Sequence, residues 1–201
     1  MMKAIIFDFG GVLIDWNPSY LYRKVLSEEE MNWFLTNICN EEWNREQDRG
    51  RKFSDGIAEL KEKHANYASY IEMYYNRWDE MLNGEVSGTA KILGELKKSY
   101  KIYGLTNWSA ETFPIAFSKF AFFQLFDGIV VSGQEKLIKP EEDIFRLLLS
   151  RFDLKAEECI FIDDSRENAA AAGRLGFVSI HFKDSQQLKE DLLQFGIISS
   201  D

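Results

Sequence analysis

The sequence predicts an α/β fold: a doubly wound, Rossmann-like parallel sheet that carries an inserted helical segment. Five short runs are rich in β-branched and aromatic residues, and they are apolar throughout, as in strands covered on both faces. Helical patterns lie between the runs, and such strand–helix alternation indicates parallel pairing. One long segment, residues 17–85, breaks the alternation and contains no clear strand.

The elements of the predicted sheet follow in chain order. We expect strands at residues 4–9, 101–105, 128–131, 159–162 and 178–182, and helices at residues 89–100, 143–152, 165–175 and 189–195. Pro140 lies near the start of the helix at 143–152, where its missing N–H is not needed. Gly176 follows the alanine-rich helix at 165–175 and is a typical helix end.

The segment after the first strand predicts a helical insertion. Ser27 and Glu30 form a capping-box pattern that opens a helix. Further helices are expected at residues 41–49, 54–64 and 67–82. The dipeptide Asn83-Gly84 is typical of a turn and marks the end of the segment. We therefore predict a core domain of residues 1–16 and 86–201 and a helical domain of residues 17–85.

The net charge of the chain limits which kinds of partner it can bind. Lys and Arg total 24 and Asp and Glu total 33, which gives a formal net charge of −9. This argues against nucleic acid or an anionic membrane as a partner, because both require a basic surface. No run approaches the ~20 apolar residues of a membrane span, and two cysteines are too few for a secreted disulfide framework. We expect a cytoplasmic protein that is a monomer or a homodimer.

Two predicted strands end in carboxylates. Asp8 closes the first strand and is followed by Gly10 and Gly11, which allow a sharp turn and the close approach of a ligand. Ligands of open α/β sheets bind at the carboxyl ends of the strands. Asp163 and Asp164 close another buried strand, and a hard cation such as Mg²⁺ would relieve the repulsion between them.

Other polar residues follow further apolar runs. Thr106 and Asn107 offer a hydroxyl and an amide that can bind a phosphoryl oxygen, although such residues also cap the local backbone. Lys139 precedes Pro140 and a predicted helix, so its cation and the free N–H groups of the helix can hold an anion. Each signal has an ordinary structural alternative, but their order along the chain is specific.

Taken in that order, these residues resemble the four motifs of the haloacid dehalogenase superfamily. The matching segments are Asp8-Phe9-Gly10-Gly11-Val12, Leu105-Thr106-Asn107, Lys139-Pro140 and Phe161-Ile162-Asp163-Asp164. The resemblance covers essentially the whole chain, because the helical segment lies where that family inserts its C1 cap. Within the family the chain is most similar to small sugar-phosphate phosphatases related to glucose-1-phosphate phosphatase.

The resemblance implies a Mg²⁺-dependent phosphatase that hydrolyses a small phosphorylated metabolite through an aspartyl-phosphate on Asp8. The implied Mg²⁺ ligands are Asp8, the Gly10 carbonyl, Asp163, either directly or through water, and Asp164. The groups implied to bind the phosphoryl oxygens are Thr106 and Asn107, and Lys139 would offset the charge of the nucleophile and the phosphate.

The chain departs from the family pattern at Gly10, where most family phosphatases have an aspartate that acts as general acid and base. The leaving alkoxide must then take its proton from water or from a cap residue, or leave without one. This favours leaving groups of low pKa.

Two alternative functions stay open. A metal-free 2-haloacid dehalogenase would use Asp8 on carbon but has little use for Asp163 and Asp164. A non-catalytic binding domain would not need Asp8 and Lys139.

Specificity is expected to come from the helical segment. The candidate substrate-binding residues are Trp43, Asn44, Asp48 and Arg49, which lie on one helical stretch that ends at Gly50. They combine an indole ring that can stack on a sugar with polar groups. Their alternative role is a packed tryptophan beside a solvated helix end. Asp15 is the nearest other carboxylate after Gly10, and we expect it to cap a helix that begins near Pro18.

Overall fold

A computed structural model of the chain describes residues 2–199, so the domain predictions for residues 1, 200 and 201 lie outside it. The strands are β1 (Ala4–Phe7), β2 (Ile14–Trp16), β3 (Leu82–Glu85), β4 (Lys101–Thr106), β5 (Gly128–Val131), β6 (Cys159–Asp163) and β7 (Val178–His181). The α-helices are α1 (Ser19–Tyr22), α2 (Glu28–Asn37), α3 (Glu41–Asp48), α4 (Phe53–Lys63), α5 (Ala68–Asn76), α6 (Thr89–Leu96), α7 (Phe113–Lys119), α8 (Ser132–Glu135), α9 (Glu142–Arg151), α10 (Arg166–Arg174) and α11 (Ser185–Gln194). Short 3₁₀ turns occupy Ala65–Tyr67, Trp78–Met81, Ala121–Leu125 and Ala156–Glu158.

The five predicted strands form one parallel sheet in the order β5-β4-β1-β6-β7. This confirms the predicted fold class. Strand β1 is central, and its last residue, Phe7, is in register with Gly104 of β4 and Ile162 of β6. The carboxyl ends of β1, β4 and β6 therefore lie side by side, which brings Asp8, Thr106 and Asp163 to the same edge of the sheet.

The continuous apolarity of the strands reflects two separate cores. Ile5 and Phe7 of β1 belong to a cluster on one face of the sheet. Ala4 and Ile6 belong to a second cluster on the other face, together with Phe161 of β6. Since alternate side chains point to opposite faces, both sets must be apolar for the helices to cover the sheet on both sides.

Several helix boundaries differ from the prediction, among them the starts of α9 and α11. Helix α9 begins at Glu142 with Glu141 as its N-cap, so Pro140 lies before the helix and not in its first turn. Lys139 lies three residues before the first residue of α9, and a separate set of contacts holds its side chain. Helix α11 begins at Ser185 instead of residue 189, because the Asp184 side chain accepts a hydrogen bond from the Gln187 N–H and caps the earlier start.

The inserted segment is largely helical, as predicted. The capping box at the start of α2 is present, with the Ser27 hydroxyl accepting from the Glu30 N–H and the Glu30 carboxylate accepting from the Ser27 N–H. The buried rings of Tyr22, Phe34 and Tyr74 form the centre of a small core between these helices. No helix in the described part of the chain, residues 2–199, has the length and apolar character needed to cross a membrane.

The prediction that residues 17–85 contain no strand is wrong. Strand β3 pairs with β2 in an antiparallel two-stranded sheet at the two ends of the inserted segment. Asn83 and Gly84 lie inside β3 and do not form the predicted turn. The strand has no apolar run to reveal it, because its side chains alternate between half-buried and exposed positions. This pairing ties together the two points at which the chain leaves and re-enters the large sheet.

Asp15 also differs from its expected role. Its carboxylate accepts hydrogen bonds from the Tyr20 hydroxyl and from the Asn83 side-chain amide, which links β2 to β3. The Asn17 side chain accepts from the Ser19 N–H at the start of α1 in its place. These hydrogen bonds therefore hold the Asp15 carboxylate in the two-stranded sheet.

Candidate functional site

Asp8 follows β1 directly and is almost completely buried. Its Oδ1 accepts a hydrogen bond of 2.7 Å from the Phe9 N–H and lies 3.0 Å from Nζ of Lys139. Its Oδ2 accepts no hydrogen bond from any of residues 2–199. One oxygen of the carboxylate is thus fixed in place, and the other is free to react or to bind a cation.

Lys139 lies at the centre of the site and is 1% exposed. Its Nζ donates to the Leu105 carbonyl at 2.9 Å and to Oδ2 of Asp163 at 2.6 Å, in addition to its contact with Asp8. Burial acts to lower the pKa of Lys139, but the carboxylates of Asp163 and Asp8 outweigh it and raise the pKa above its usual range. The amine therefore stays charged although water does not reach it.

Asn107 holds the main chain of Lys139 by a pair of hydrogen bonds. The Lys139 N–H donates to Asn107 Oδ1 at 2.9 Å, and Asn107 Nδ2 donates to the Lys139 carbonyl at 3.0 Å. These bonds use the side-chain oxygen and one of the two N–H groups of the amide. Asn107 thus positions Lys139, and one amide N–H remains for the predicted contact with a phosphoryl oxygen.

Asp163 is fully buried at the end of β6, and protein groups surround both of its oxygens. Oδ1 accepts from the Ser165 N–H at 2.8 Å and from the Asn168 amide at 3.1 Å, while Oδ2 accepts from Lys139. Asn168 was not predicted as a site residue. It lies on the first turn of α10, five positions after Asp163, and only the folded turn brings it back to the carboxylate.

Asp164 is exposed and faces the glycine loop after β1. A Cβ atom at Gly11 would lie 2.1 Å from Oδ2 of Asp164, and Gly11 has a φ of +71°. The positive φ favours glycine at this position, and the lack of a side chain leaves room for the Asp164 carboxylate. The backbone at Gly11 therefore passes close to the Asp164 side chain, and the predicted approach of a ligand to the glycine turn stays a prediction.

Asp8, Asp163 and Asp164 can each place one carboxylate oxygen within 4.8 Å of the others. Burial raises the pKa of Asp8 to about 7, against the opposing effect of Lys139, and the charges of Asp163 and Asp164 raise it further. Partial desolvation by the surrounding residues and the charge of Asp163 also raise the pKa of Asp164, although part of its side chain is exposed. Three carboxylates against one ammonium leave an excess of negative charge, and oxygen donors of this kind fit Mg²⁺.

Thr106 ends β4 beside this cluster and is 1% exposed. Its Oγ1 is buried and has no hydrogen-bond partner among the described residues. A buried hydroxyl without a partner is costly, and most are satisfied in folded proteins. The position of this hydroxyl at the edge of the sheet suits the predicted contact with a phosphoryl oxygen.

A pocket opens beside the cluster, between the sheet edge and the helical segment. Its lining residues are Gly10, Trp16, Asn44, Asp48, Trp78, Asn107, Trp108 and Thr112. It holds about 350 Å³ of empty space, part of which is open to solvent. Gly10 and Asn107 connect it to the acidic cluster, and three indole rings supply most of its apolar wall.

The structure divides the four predicted specificity residues into two groups. Asn44 and Asp48 line the pocket. Trp43 is buried against Phe53 and Tyr74, and its Nε1 donates to the Gly56 carbonyl at 3.2 Å. The structure thus places Trp43 in the helical core and not in the pocket.

Arg49 is also outside the pocket. Its guanidinium forms a bidentate ion pair with Glu141, with distances of 3.0 and 2.6 Å, and so joins the end of α3 to the segment that follows Lys139. Trp16 and Trp108 line the pocket but were not predicted as site residues. Trp108 directly follows the predicted Asn107, whereas Trp16 belongs to the unpredicted strand β2.

Comparisons with known proteins identify two phosphatases to which the chain is similar. The chain is 32% identical over 185 residues to a sesquiterpene phosphatase of Aspergillus oryzae, which covers 91% of each chain. It is 25% identical over 189 residues to a phosphorylated carbohydrates phosphatase of Thermotoga maritima, which covers 90% of this chain and 84% of that protein.

The fold also matches solved structures. A haloacid dehalogenase family enzyme of Bacteroides thetaiotaomicron, crystallised with magnesium and inorganic phosphate, superposes with a TM-score of 0.70 at 21% identity, covering 92% of this chain and 96% of that one. Residues 2–176 match the model of the haloacid dehalogenase-like hydrolases. A match over most of the chain assigns the family, and the chain belongs to the haloacid dehalogenase-like hydrolases.

Proposed function

We propose that this hydrolase is a Mg²⁺-dependent phosphatase that acts through an aspartyl-phosphate on Asp8. The observation that carries the proposal is the asymmetry of Asp8, whose Oδ1 is held by Phe9 and Lys139 while Oδ2 accepts no hydrogen bond from residues 2–199. A carboxylate held by one oxygen presents the other in a defined direction. Oδ2 is thus the atom that would attack phosphorus.

Asp8 and Asp164, together with the carbonyl of Gly10, would hold the cation. Asp163 would act mainly through Lys139, because protein groups already surround both of its oxygens. Bound Mg²⁺ supplies Lewis-acid stabilisation of the negative charge on the phosphoryl group. The excess of carboxylates over ammonium groups in this cluster supports a divalent cation.

Side chains of the protein would bind the phosphate and orient the nucleophile. The Thr106 hydroxyl and the free N–H of Asn107 would donate to the non-bridging oxygens of the phosphate. Lys139 would favour the ionised form of Asp8 and orient its carboxylate. Attack by Oδ2 forms the Asp8–phosphorus bond and breaks the ester P–O bond, and a water molecule then cleaves the aspartyl-phosphate to release inorganic phosphate and restore Asp8.

The pocket supports a substrate whose alcohol is apolar. Trp16, Trp78 and Trp108 form its wall, and indole rings favour the burial of hydrocarbon over that of a polyol. The similarity to a sesquiterpene phosphatase points in the same direction. We therefore propose phosphate monoesters of apolar alcohols, such as sesquiterpenyl monophosphates, as the substrate class.

A phosphorylated carbohydrate is the second candidate. Indole rings also stack on sugar faces, and Asn44 and Asp48 add polar groups to the same pocket. The similarity to a phosphorylated carbohydrates phosphatase supports this alternative.

Phosphate release from a panel that contains a sesquiterpenyl monophosphate and hexose phosphates, with Mg²⁺ and with a chelator, tests the proposal. We expect release only with Mg²⁺, and faster release from the terpenyl ester. The Asp8→Asn variant should be inactive, and a phosphoryl adduct on Asp8 of the active protein should be detectable by mass spectrometry. Halide release from 2-haloacids without metal would support a dehalogenase, and no turnover of any compound would support a binding domain.

A further inference from the structure

The carboxylate that family phosphatases use as a proton donor has no equivalent at Gly10. A Cβ atom at Gly10 would meet nothing within 4 Å, so the space beside the glycine is open and belongs to the pocket. The leaving oxygen of the substrate would lie on this side of Asp8. A protein group that protonates it must therefore reach the same pocket.

Asp48 is the one carboxylate among the residues that line the pocket in the described part of the chain. It is the last residue of α3 and belongs to the inserted segment. Asp15, the other carboxylate near the glycine turn in sequence, does not line the pocket, because Tyr20 and Asn83 hold it in the two-stranded sheet.

The carboxyl group of Asp48 is fixed by its surroundings. Its Oδ2 accepts a hydrogen bond of 3.0 Å from Nδ2 of Asn44, one turn earlier on α3. Its main-chain carbonyl accepts from the Ser132 hydroxyl at 2.5 Å, which ties the end of α3 to the core. Two residues on, a Cβ atom at Gly50 would lie 3.0 Å from the Gly133 carbonyl, so the two backbones are in direct contact here.

The charged groups around Asp48 are few. Arg45 on the same helix favours the ionised form, as does the main chain of Ser109 in the core loop. Tyr74 of α5 faces it from within the helical core. Ser132, its neighbour from α8, is uncharged. Burial outweighs the two favourable contacts and raises the pKa of Asp48 to about 7, which suits a group that gives and takes a proton near neutral pH.

We propose that Asp48 is the general acid and base of this phosphatase and performs the task that a carboxylate at position 10 would otherwise perform. The inference rests on the proposed function. In the first step the protonated Asp48 gives its proton to the ester oxygen as the P–O bond breaks and Asp8 becomes phosphorylated. In the second step the Asp48 carboxylate takes a proton from the water that attacks the aspartyl-phosphate, and inorganic phosphate leaves.

The test is a leaving-group series measured with Mg²⁺ on the full chain and on Asp48→Asn. The substrates are phosphate monoesters from 4-nitrophenyl phosphate to primary alkyl phosphates. General acid catalysis contributes about 10²- to 10⁴-fold, so we expect a loss of this size in kcat/KM for alkyl esters. The loss for 4-nitrophenyl phosphate should be below about 10-fold, because a leaving group of low pKa needs little protonation. Retained turnover of the nitrophenyl ester also shows that the variant is folded.

The matched control is Glu46→Gln, which removes an exposed carboxylate from the same helix. This variant should leave kcat/KM unchanged for both the alkyl and the nitrophenyl esters. A second readout is the pH profile of the alkyl ester reaction. The wild-type kcat/KM should fall as the pH rises above about 7, and this limb should be absent in Asp48→Asn.

An equal loss for all leaving groups would overturn the proposal and assign Asp48 a purely structural role. Unchanged kinetics in Asp48→Asn would overturn it as well. In both cases the wild-type protein still releases phosphate, so the proposed function stands. If the wild-type protein releases no phosphate from any ester with Mg²⁺, the proposed function itself has failed.

Discussion

Nζ of Lys139 lies 3.0 Å from Oδ1 of Asp8, and each group is held from the other side by the main chain. Asp8 accepts from the Phe9 N–H, and Lys139 donates to the Leu105 carbonyl. The contact therefore joins the ends of β1 and β4 through a charge that is shielded from water. Under the proposed function, it leaves Oδ2 of Asp8 to face the substrate.

Asp8→Asn should abolish phosphate release and leave the fold intact. The amide lacks the anionic oxygen that attacks phosphorus and binds the cation. Steady-state kinetics and circular dichroism are the measurements. Asp15→Asn is the control, since its carboxylate bonds to Tyr20 and Asn83 and should be replaceable with little loss of turnover. Wild-type rates in a folded Asp8→Asn variant would contradict the assignment of the nucleophile.

The two adjacent carboxylates should respond differently to removal of charge. Asp164→Asn should weaken Mg²⁺ binding, measured by calorimetry, with little change in melting temperature, because Asp164 is exposed. Asp163→Asn should lower the free energy of unfolding by about 3 kcal/mol, because it leaves Lys139 buried with only part of its compensating charge. Similar Mg²⁺ affinity in Asp164→Asn and the wild type would show that Asp164 is not a ligand.

Thr106→Val should reduce kcat by about 10- to 100-fold, the value of one hydrogen bond to a charged oxygen. Stability should stay the same or rise, because the change removes a buried hydroxyl that has no partner in residues 2–199. Thr89→Val is the matched control, since Oγ1 of Thr89 is also buried without a partner but lies on α6, away from the pocket. Equal losses of activity in both variants would contradict a role for Thr106 in binding phosphate.

Asp48→Asn should raise stability at high pH. Burial raises the pKa of Asp48 to about 7, so the folded protein holds a proton there that the unfolded chain releases near pH 4. The stabilisation by this proton is present below about pH 4 and is lost as the pH rises through about 7. We expect the variant to gain about 2 kcal/mol in free energy of unfolding at pH 8, allowing for the partial exposure of the side chain. Denaturant titrations at pH 4 and pH 8 check this, and no gain at pH 8 relative to pH 4 would contradict it.

Trp16→Ala should raise KM for an apolar phosphate ester by at least about 10-fold, because it removes part of the hydrocarbon-binding wall. The KM for a small ester such as phenyl phosphate should change less. Trp33→Ala is the control, because that ring is 46% exposed on α2 and does not line the pocket. An equal change in KM for both esters would contradict recognition of an apolar alcohol by this pocket.

The sheet and the ends of its strands were predictable because both depend on local sequence. Five buried strands need continuous apolar runs, and Asp8, Thr106 and Asp163 stand out as polar residues directly after such runs. Strands β2 and β3 were not predictable, because they are short, half-exposed and without an apolar pattern. Asn168 was also missed, since its contact with Asp163 arises only when α10 folds back.

In the helical segment, the sequence does not predict which residues of α3 face the pocket. Trp43 and Asp48 were equal candidates on one stretch, but five positions correspond to a rotation of about 140° around a helix. One residue therefore enters the helical core while the other faces the pocket. Which face points inward depends on the packing of α3 against α4, α5 and the core, and no local pattern encodes it.

Asp48 lies on the inserted segment, whereas Asp8 directly follows β1 of the large sheet, so the two proposed catalytic groups belong to different parts of the chain. The large sheet carries the proposed nucleophile, cation ligands and phosphate contacts, while the inserted segment carries part of the pocket lining and the proposed proton donor. Exchange of the insertion between relatives would thus transplant substrate choice and acid catalysis together. A lineage in which this segment supplies the acid is free to lose the aspartate from the glycine turn, and one that changes the segment must restore it.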